Sequence, residues 1–165
     1  MSKPLIRPIQ PEDNAAVRQL VKEVLAEFVE GTDGYASSDP ELEDMHAAYS
    51  APGHLYFVIE HESQVRGIAG IAPLAGCGDK QVAELRKMYF HTSLRGQGLA
   101  HVLMKRCLDC AQEMGYRYVY LETLPHMNAA QSLYKKHGFK NIPERMGDTG
   151  HHGCPVFMLL DMEAE

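Results

Sequence analysis

A glycine-rich turn between a β-rich run and an amphipathic segment most constrains how this 165-residue chain can fold. Residues 82–90 have the composition of a strand, and residues 99–114 repeat apolar side chains with helical period. The turn that joins them, residues 94–100, reads Leu-Arg-Gly-Gln-Gly-Leu-Ala. The first turn of a helix has unpaired N–H groups and a partial positive charge, and glycine lets a ligand approach the backbone closely. The pattern therefore predicts a strand–turn–helix unit that binds an anionic phosphate group.

The spacing within this turn argues against two common phosphate-binding loops. A P-loop has Gly-Lys-Ser/Thr after its turn, and no such pair follows Gly98. A dinucleotide fingerprint reads Gly-x-Gly-x-x-Gly, and Gly96 and Gly98 fit its first pair, but the third position is His101. The turn instead resembles the pyrophosphate loop of the GNAT acetyltransferases, Arg/Gln-x-x-Gly-x-Gly/Ala, with Arg95, Gly98 and Ala100 at its fixed positions. A strand-to-helix turn without a ligand is the alternative interpretation.

A second motif downstream supports the same resemblance. Residues 116–124 read as a buried strand, and Asn128 then opens a short helix, with Gln131 at the spacing of a capping box. The segment resembles the second GNAT signature, in which Asn, Ala, Leu-Tyr and Gly-Phe follow one another. The residues that carry this resemblance are Asn128, Ala130, Leu133, Tyr134, Gly138 and Phe139. Both motifs occur in the family's order, each after a predicted strand.

The resemblance implies an α/β fold with a mixed, mostly antiparallel central sheet, flanking helices and splayed middle strands. It also implies acetyl-CoA as co-substrate, with the pantetheine arm along the strand backbone and the pyrophosphate on backbone N–H groups of residues 97–100. The implied coenzyme-binding residues are Met88, Tyr89, Phe90, Arg95, Gly96, Gln97, Gly98, Leu99, Ala100 and Asn128. No metal is implied.

Acetyl transfer to an amine requires a base, a stabilised oxyanion and a protonated leaving thiolate. Glu84 is the candidate base, because strand alternation predicts that it shares a face with residues 86, 88 and 90 and because family members with a glutamate on this strand place it here. Glu122 on the next strand is the alternative base or a ligand of the acceptor ammonium, and Glu84 would then pair with Arg86. Tyr134 matches the signature tyrosine and is the candidate acid.

The acceptor is less constrained than the coenzyme. The resemblance is weakest at residues 31–52 and 144–154, and the variable regions 29–49 and 144–154 are predicted to build the acceptor site. The compact chain favours the primary amine of a small molecule, attacked directly in a ternary complex, although a protein N-terminus or lysine is an alternative. A non-catalytic acyl-CoA-binding sensor or partner-binding module of the same fold is the competing function. It would retain the phosphate turn and lack the base and the acid.

Composition and charge argue against several other classes of function. The net charge of −6 and the pI near 5.8 argue against nucleic-acid binding. No apolar run approaches the ~18 residues of a membrane span, and the first residues lack the apolar core of a signal peptide, so a cytoplasmic location without membrane contact is expected. The length predicts a single domain over residues 1–165, and a homodimer is compatible with it.

Cys107 and Cys110 have the C-x-x-C spacing of a redox or zinc pair, but they continue an apolar stripe along the predicted helix 99–114. The stripe predicts structural cysteines in the buried face, because a redox pair would begin a helix and these lie in its second half. His151, His152 and Cys154 are close enough in sequence to suggest metal ligands, although nine histidines make chance clusters common.

The predicted order of elements is β-α-α-β-β-β-α-β-α-β-β, which is typical of an α/β domain with a mixed sheet. The predicted strands are 3–9, 55–60, 65–71, 82–90, 116–124, 139–142 and 156–162. Of the helices, the first begins at residues 11–13 and ends before residue 31, and the second begins near Pro40 and ends before Pro52. The remaining two are 99–114 and 128–137.

Overall fold

A seven-stranded sheet forms the centre of the computed structural model, which describes residues 2–31 and 34–164. Its spatial order is β1-β2-β3-β4-β5-β7-β6, and β4 with β5 is the parallel pair among otherwise antiparallel neighbours. The strands are β1 (Leu5–Pro8), β2 (Leu55–His61), β3 (Gln64–Pro73), β4 (Val82–Phe90), β5 (Tyr118–Thr123), β6 (Lys140–Ile142) and β7 (Val156–Asp161). The prediction of a mixed, mostly antiparallel sheet is confirmed. Residues 32 and 33 of the predicted acceptor region lie outside the described residues.

Helices cover both faces of the sheet. They are α1 (Asn14–Ala26), α2 (Met45–Ala48), α3 (Leu99–Glu113) and α4 (Asn128–Lys136). The apolar stripe of α1 packs on one face, against Tyr56, Val58 and Ile68 among others. The stripe of α3 packs on the opposite face, and Tyr134 of α4 joins the same core cluster. The two long helices thus bury the two sides of the central strands, as their sequence periodicity predicts.

The predicted second helix is wrong over most of its length. The segment forms two short 3₁₀ turns, Ala36–Ser38 and Pro40–Glu43, and then the single α-helical turn α2. Asp44 interrupts the helix, because its backbone is non-helical (φ −152°, ψ 80°) and its side chain accepts the N–H of Ala47 as a cap. The apolar residues Leu42, Met45 and Tyr49 are nevertheless buried, so the periodicity identified the core positions and not the backbone conformation.

The predicted capping box at α4 is also wrong. Met127 precedes the helix without a side-chain cap, and the Gln131 amide donates to the carbonyl oxygens of Leu124 and Pro125 at 2.8 and 3.2 Å. Gln131 therefore ties α4 to the end of β5. None of the helices in residues 2–31 and 34–164 is long and apolar enough to cross a membrane.

The cysteines of α3 are structural, as predicted. Cys107 is fully buried in the core under the sheet, Cys110 is partly buried beside it, and both are free thiols. Burial raises the pKa of the Cys107 thiol well above its ordinary value, which keeps it protonated and unreactive. Within the described ranges, no group of three or more His, Cys, Asp or Glu side chains could hold a metal ion.

We therefore expect chelators and reductants to leave the fold intact. Neither EDTA nor dithiothreitol should change the melting temperature measured by differential scanning fluorimetry, because the thiols contribute packing and no bond that a reductant could break. Stoichiometric zinc in the purified protein, lost together with thermal stability on chelation, would contradict this.

Candidate active site

The parallel strands β4 and β5 separate along their length. They pair at Val82–Tyr118, Ala83–Val119 and Glu84–Tyr120, and both strands then continue apart, β4 as far as Phe90. The predicted splaying of the middle strands is confirmed. An open wedge between two strands leaves backbone N–H and C=O groups of β4 available to a ligand.

A β-bulge in β4 redirects the strand at the mouth of this wedge. Ile68 pairs with Tyr89 and Gly70 pairs with Arg86, so three steps along β4 oppose two along β3. Lys87 lies in this bulge and has a φ of +49°. Its carbonyl oxygen accepts a hydrogen bond from the Tyr56 hydroxyl at 2.9 Å.

The bulge makes the predicted alternation of β4 wrong. Leu85 and Met88 both belong to the core cluster beneath α3, whereas Arg86 and Lys87 both contact Glu41 beyond the opposite face. Glu84 binds Arg86 through its carboxylate, so it lies on the Arg86 side of the strand. Glu84 and Met88 therefore face opposite sides of the sheet, because the inserted residue reverses the period-2 pattern after Arg86.

A cleft of about 650 Å³ extends from the wedge to the first turn of α3 and along α4. It is lined by every predicted coenzyme-binding residue except Gln97, whose side chain donates to the Ser93 carbonyl oxygen instead. Asn128 lines the cleft as well, although the signature's asparagine position, counted back from Tyr134, falls on Met127. The cleft is large enough for an extended cofactor-sized ligand.

The glycine turn forms one end of this cleft. Gly98 immediately precedes α3 in the left-handed conformation (φ +75°), and no side chain caps the helix there. The backbone N–H groups of the first helical turn have no partner within the helix, and Leu99 and Ala100 line the cleft beside Gly98. The end of the cleft thus presents unpaired donors and the positive end of a 15-residue helix, which suits a diphosphate.

Arg95 is bound within the protein. Its guanidinium donates to both carboxylate oxygens of Glu27 at 2.9 and 2.8 Å and to the Phe90 carbonyl oxygen at 2.8 and 3.0 Å. The Arg95 hydrogen bonds hold the pKa of Glu27 below its ordinary value. Arg95 therefore fastens the turn to the residue after α1 and to the end of β4, and Glu27 balances its charge.

A small cavity of about 40 Å³ lies between the splayed strands and adjoins the cleft. Met88, Tyr89, Met127 and Tyr134 line both spaces. The cavity has room for a group of a few atoms or for one or two waters. Its wall is apolar along Leu85 and Leu121, and its polar side carries Glu122.

Tyr134 stands at the junction of the two spaces. Its ring is buried, and its hydroxyl forms no hydrogen bond with any residue that the structure describes. Burial raises the pKa of the phenol to about 12. The side chain is therefore protonated at any physiological pH, with its donor uncommitted at the point where the cavity meets the cleft.

Glu122 of β5 also lines the small cavity, and its side chain is 1% exposed. Two hydroxyls donate hydrogen bonds to its carboxylate, those of Tyr120 and Thr149, each at 2.5 Å, and the Nε of Arg145 forms an ion pair with it at 3.1 Å. The carboxylate is therefore fixed by two hydroxyls and one guanidinium.

Comparison with known proteins agrees with this geometry. The model of the GNAT acetyltransferase family matches residues 18–139. The chain therefore belongs to the GNAT family. An N-acetyltransferase of Escherichia coli K12, YjgM, is 41% identical over 160 residues, which is 96% of this chain and 95% of that protein. As a GNAT enzyme, the protein is an acetyl-CoA-dependent acyltransferase.

Two further comparisons concern a relative named for its product and a solved structure that contains acetyl-CoA. The N-acetylaspartate synthetase of Xenopus tropicalis is 31% identical over 116 residues, which is 70% of this chain and 40% of that protein. An acetyltransferase structure from Salmonella typhimurium that contains acetyl-CoA aligns with a TM-score of 0.76 at 22% identity, covering 99% of this chain and 96% of that chain. The structural likeness is to the GNAT fold.

Glu84 of this GNAT enzyme lies outside both spaces. It is buried, it accepts the Arg86 Nε at 2.7 Å, and it lines neither the cleft nor the small cavity. Burial raises the pKa of Glu84 above its ordinary value, although the Arg86 charge acts in the opposite direction. The structure thus separates Glu84 from Tyr134 and brings Glu122 and Tyr134 to the same cavity.

The two regions predicted to build the acceptor side do meet over the sheet. The His151 Nε2 lies 2.8 Å from Asp39 Oδ2, and the Gly153 N–H donates to the Gly34 carbonyl oxygen at 3.0 Å. The sequence indicated these regions but not the side chains through which they contact each other and strands β4 and β5. These residues are Asp39, Glu41, Lys87, Arg145 and Thr149. The available signal was the set of charged side chains in segments unlike the family motifs.

Lys87 is the centre of this second set. Its ammonium, 1% exposed, lies 2.5 Å from Asp39 Oδ2 and 2.9 Å from Glu41 Oε2. Burial by itself would raise the pKa of Asp39, but His151 and Lys87 outweigh it and the pKa lies below its ordinary value. The bulge in β4 is thereby anchored to the 3₁₀ segment from which the acceptor side is built.

Proposed function

We propose that this GNAT enzyme transfers the acetyl group of acetyl-CoA to the primary amine of a small molecule by direct attack in a ternary complex. One observation carries the proposal: the cleft and the small cavity meet at Tyr134, with a glutamate across the cavity from it. A thioester at the junction would have a proton donor on one side and a carboxylate beyond it. That arrangement supplies a base for the amine and a hydrogen-bond donor for the leaving sulfur.

The proposed binding of acetyl-CoA is based on the shape and polarity of the cleft. The diphosphate would bind the N–H groups that follow Gly98, and Gly96 and Gln97 would shape the approach to them. The pantetheine arm would pair with the backbone of β4 from Met88 to Phe90, which has no strand partner on the β5 side, although Arg95 already occupies the Phe90 carbonyl oxygen. Asn128 would bond the arm from the opposite wall.

The ammonium loses one proton toward Glu122, directly or through one water, and the neutral amine attacks the thioester carbon. A backbone N–H of the bulged segment near Met88 stabilises the oxyanion, and Tyr134 donates a hydrogen bond to the sulfur as the C–S bond breaks. The nitrogen then loses its second proton to water, and water protonates the thiolate. Glu122 is favoured over Glu84 because Glu122 lines the cavity and Glu84 is sequestered by Arg86.

A small amine fits the enclosed acceptor side. Residues 34–39 and 144–154 meet above Glu122, so the acceptor space is bounded by two segments that are joined to each other. The N-acetylaspartate synthetase relative is named for a product made from a small amino acid.

The proposal is tested by mixing the protein with acetyl-CoA and a panel of amines while free thiol is followed. The panel contains the twenty amino acids, spermidine and a tripeptide with a free N-terminus. We expect thiol release, and an acetylated product by mass spectrometry, with at least one amino acid or spermidine. Acetylation of the tripeptide alone would refute the small-molecule acceptor. Tight acetyl-CoA binding without acetylation of any amine would refute catalysis and favour a sensor.

The two glutamates can be separated by the pH dependence of kcat/KM. Glu122→Gln keeps the shape of the side chain and removes its charge, so it should abolish the acidic limb of the profile, which reports the base of the free enzyme. Glu84→Gln is the matched control and should retain that limb. The measurement is initial rate against pH with the best amine of the panel. If Glu84→Gln removes the limb and Glu122→Gln does not, Glu84 is the base.

A further inference from the structure

The donors around Glu122 come from two parts of the fold. Tyr120 lies two residues away on β5 and is fully buried, so its hydroxyl is fixed by the core. Thr149 and Arg145 belong to the acceptor loop, which we define as residues 144–154 between β6 and β7. The carboxylate is therefore held partly by the sheet and partly by a loop on the acceptor side.

The direction of the Thr149 hydrogen bond is determined by a third group. The Thr149 hydroxyl oxygen accepts the backbone N–H of His151 at 3.1 Å, so its single proton is directed to Glu122 Oε1. Tyr120 repeats the pattern, because its hydroxyl oxygen accepts the Met146 N–H at 3.2 Å while its proton is directed to Glu122 Oε2. Two backbone N–H groups of the acceptor loop thus orient the two hydroxyls.

The arrangement leaves Glu122 with a free acceptor position on Oε1. A carboxylate accepts about four hydrogen bonds. Oε2 accepts the Tyr120 hydroxyl and lies 3.1 Å from the Arg145 Nε, and Oε1 accepts the Thr149 hydroxyl. One position on Oε1 is left for a water or an amine in the cavity that Glu122 lines. The acceptor loop therefore occupies the positions that the reaction does not need.

We propose that Thr149 is a positioning residue, which aims the Glu122 carboxylate into the cavity and stabilises its ionised form. This inference rests on the proposed function, in which Glu122 is the base. It also gives the acceptor loop a role in catalysis, because the Thr149 hydroxyl reaches Glu122 Oε1 from that loop.

The expected pH effect follows from the groups that face Glu122. They are Tyr120 from β5, Arg145, Thr149 and Cys154 from the acceptor loop, and Glu84 and Lys87 from β4. Replacing Thr149 by valine changes none of these charges and removes one donor to the carboxylate. Because that donor favours the charged carboxylate, its loss should move the acidic limb of the rate profile to higher pH.

The experiment compares Thr149→Val with Thr149→Ser, in the assay established for the wild type. Thr149→Val has nearly the same volume without the donor, and it should move the acidic limb of kcat/KM to higher pH by about one unit. It should also lower kcat at neutral pH by several-fold and leave KM for acetyl-CoA unchanged, because Thr149 does not line the cleft. Thr149→Ser retains the hydroxyl and should restore the wild-type profile.

If Thr149→Val destabilises the acceptor loop, a second variant and a direct titration of the Glu122 carboxyl group still test the inference. Tyr120→Phe removes the donor on the rigid strand and should shift the limb in the same direction. The carboxyl ¹³C shift of Glu122 should titrate at higher pH in Thr149→Val than in the wild type, with or without catalysis.

Two outcomes would overturn the inference in different ways. If Glu122→Gln removes the acidic limb while Thr149→Val leaves both the limb and the ¹³C titration unchanged, Glu122 is the base and Thr149 only fills space. A failure of Thr149→Ser to restore the profile leads to the same conclusion. If Glu122→Gln retains the limb, the proposed base is wrong and the inference falls with it.

Discussion

Replacing Gly98 with glutamate should abolish the thermal stabilisation that acetyl-CoA gives to this protein. In the wild type, free acetyl-CoA at 100 times its dissociation constant should stabilise the fold by about 2.7 kcal/mol. In Gly98→Glu the new side chain stands beside the unpaired N–H groups of α3, so its bulk and charge compete with the diphosphate for the same donors. The measurement is the melting temperature with and without millimolar acetyl-CoA.

Gly115→Glu is the matched control. Gly115 has a φ of +94°, an exposed position and open space around an added Cβ, as Gly98 does, but it lies after the opposite end of α3. Both substitutions carry the same charge and a similar backbone strain, which costs about 1 kcal/mol. Gly115→Glu should lower the basal melting temperature and retain the full shift with acetyl-CoA. A full shift in Gly98→Glu would show that the coenzyme does not use this turn.

The strand–turn–helix unit was predictable because its determinants are local. Strand β4 begins and ends where its composition predicts, and α3 begins at Leu99 after a left-handed glycine. The periodicity of α1 and α3 identified which side chains enter the core. These features depend on residues a few positions apart, so the coenzyme side of the site could be predicted from the sequence in some detail.

The acceptor side depends on contacts that are distant in the sequence. The bulge at Lys87 is held by the Tyr56 hydroxyl and the Asp39 carboxylate, which are 31 and 48 residues away. Glu122 is held by Thr149, 27 residues away and across a glycine-containing loop. Strand alternation and the position of the family's glutamate both favoured Glu84. Neither criterion could predict the inserted residue in β4, which places Met88 on the opposite face of the sheet from Glu84.

Replacing Tyr134 with phenylalanine should lower kcat by about 10- to 150-fold. The variant keeps the ring in its packing against Phe139 and removes the uncommitted hydroxyl at the junction of the cleft and the cavity. A hydrogen bond to a charged group is worth about 1.5–3 kcal/mol, and each 1.36 kcal/mol of barrier is about tenfold in rate. KM for acetyl-CoA should change little, because the negative charge on sulfur develops only in the transition state.

The pKa of Tyr134 determines whether the phenol transfers its proton to the leaving thiolate or only donates a hydrogen bond to it. At about 12 it lies above the ~8.5 of an ordinary thiol, so complete proton transfer to the thiolate is uphill and a hydrogen bond to the developing charge is the main contribution. The phenol stays protonated throughout the neutral range, and its loss should lower kcat by the same factor from pH 6 to 9. Tyr116→Phe is the matched control, since its buried hydroxyl donates to the Gly53 carbonyl oxygen and lines neither space. Equal kcat in Tyr134→Phe and the wild type would remove Tyr134 from the mechanism and leave the leaving thiolate to be protonated by water.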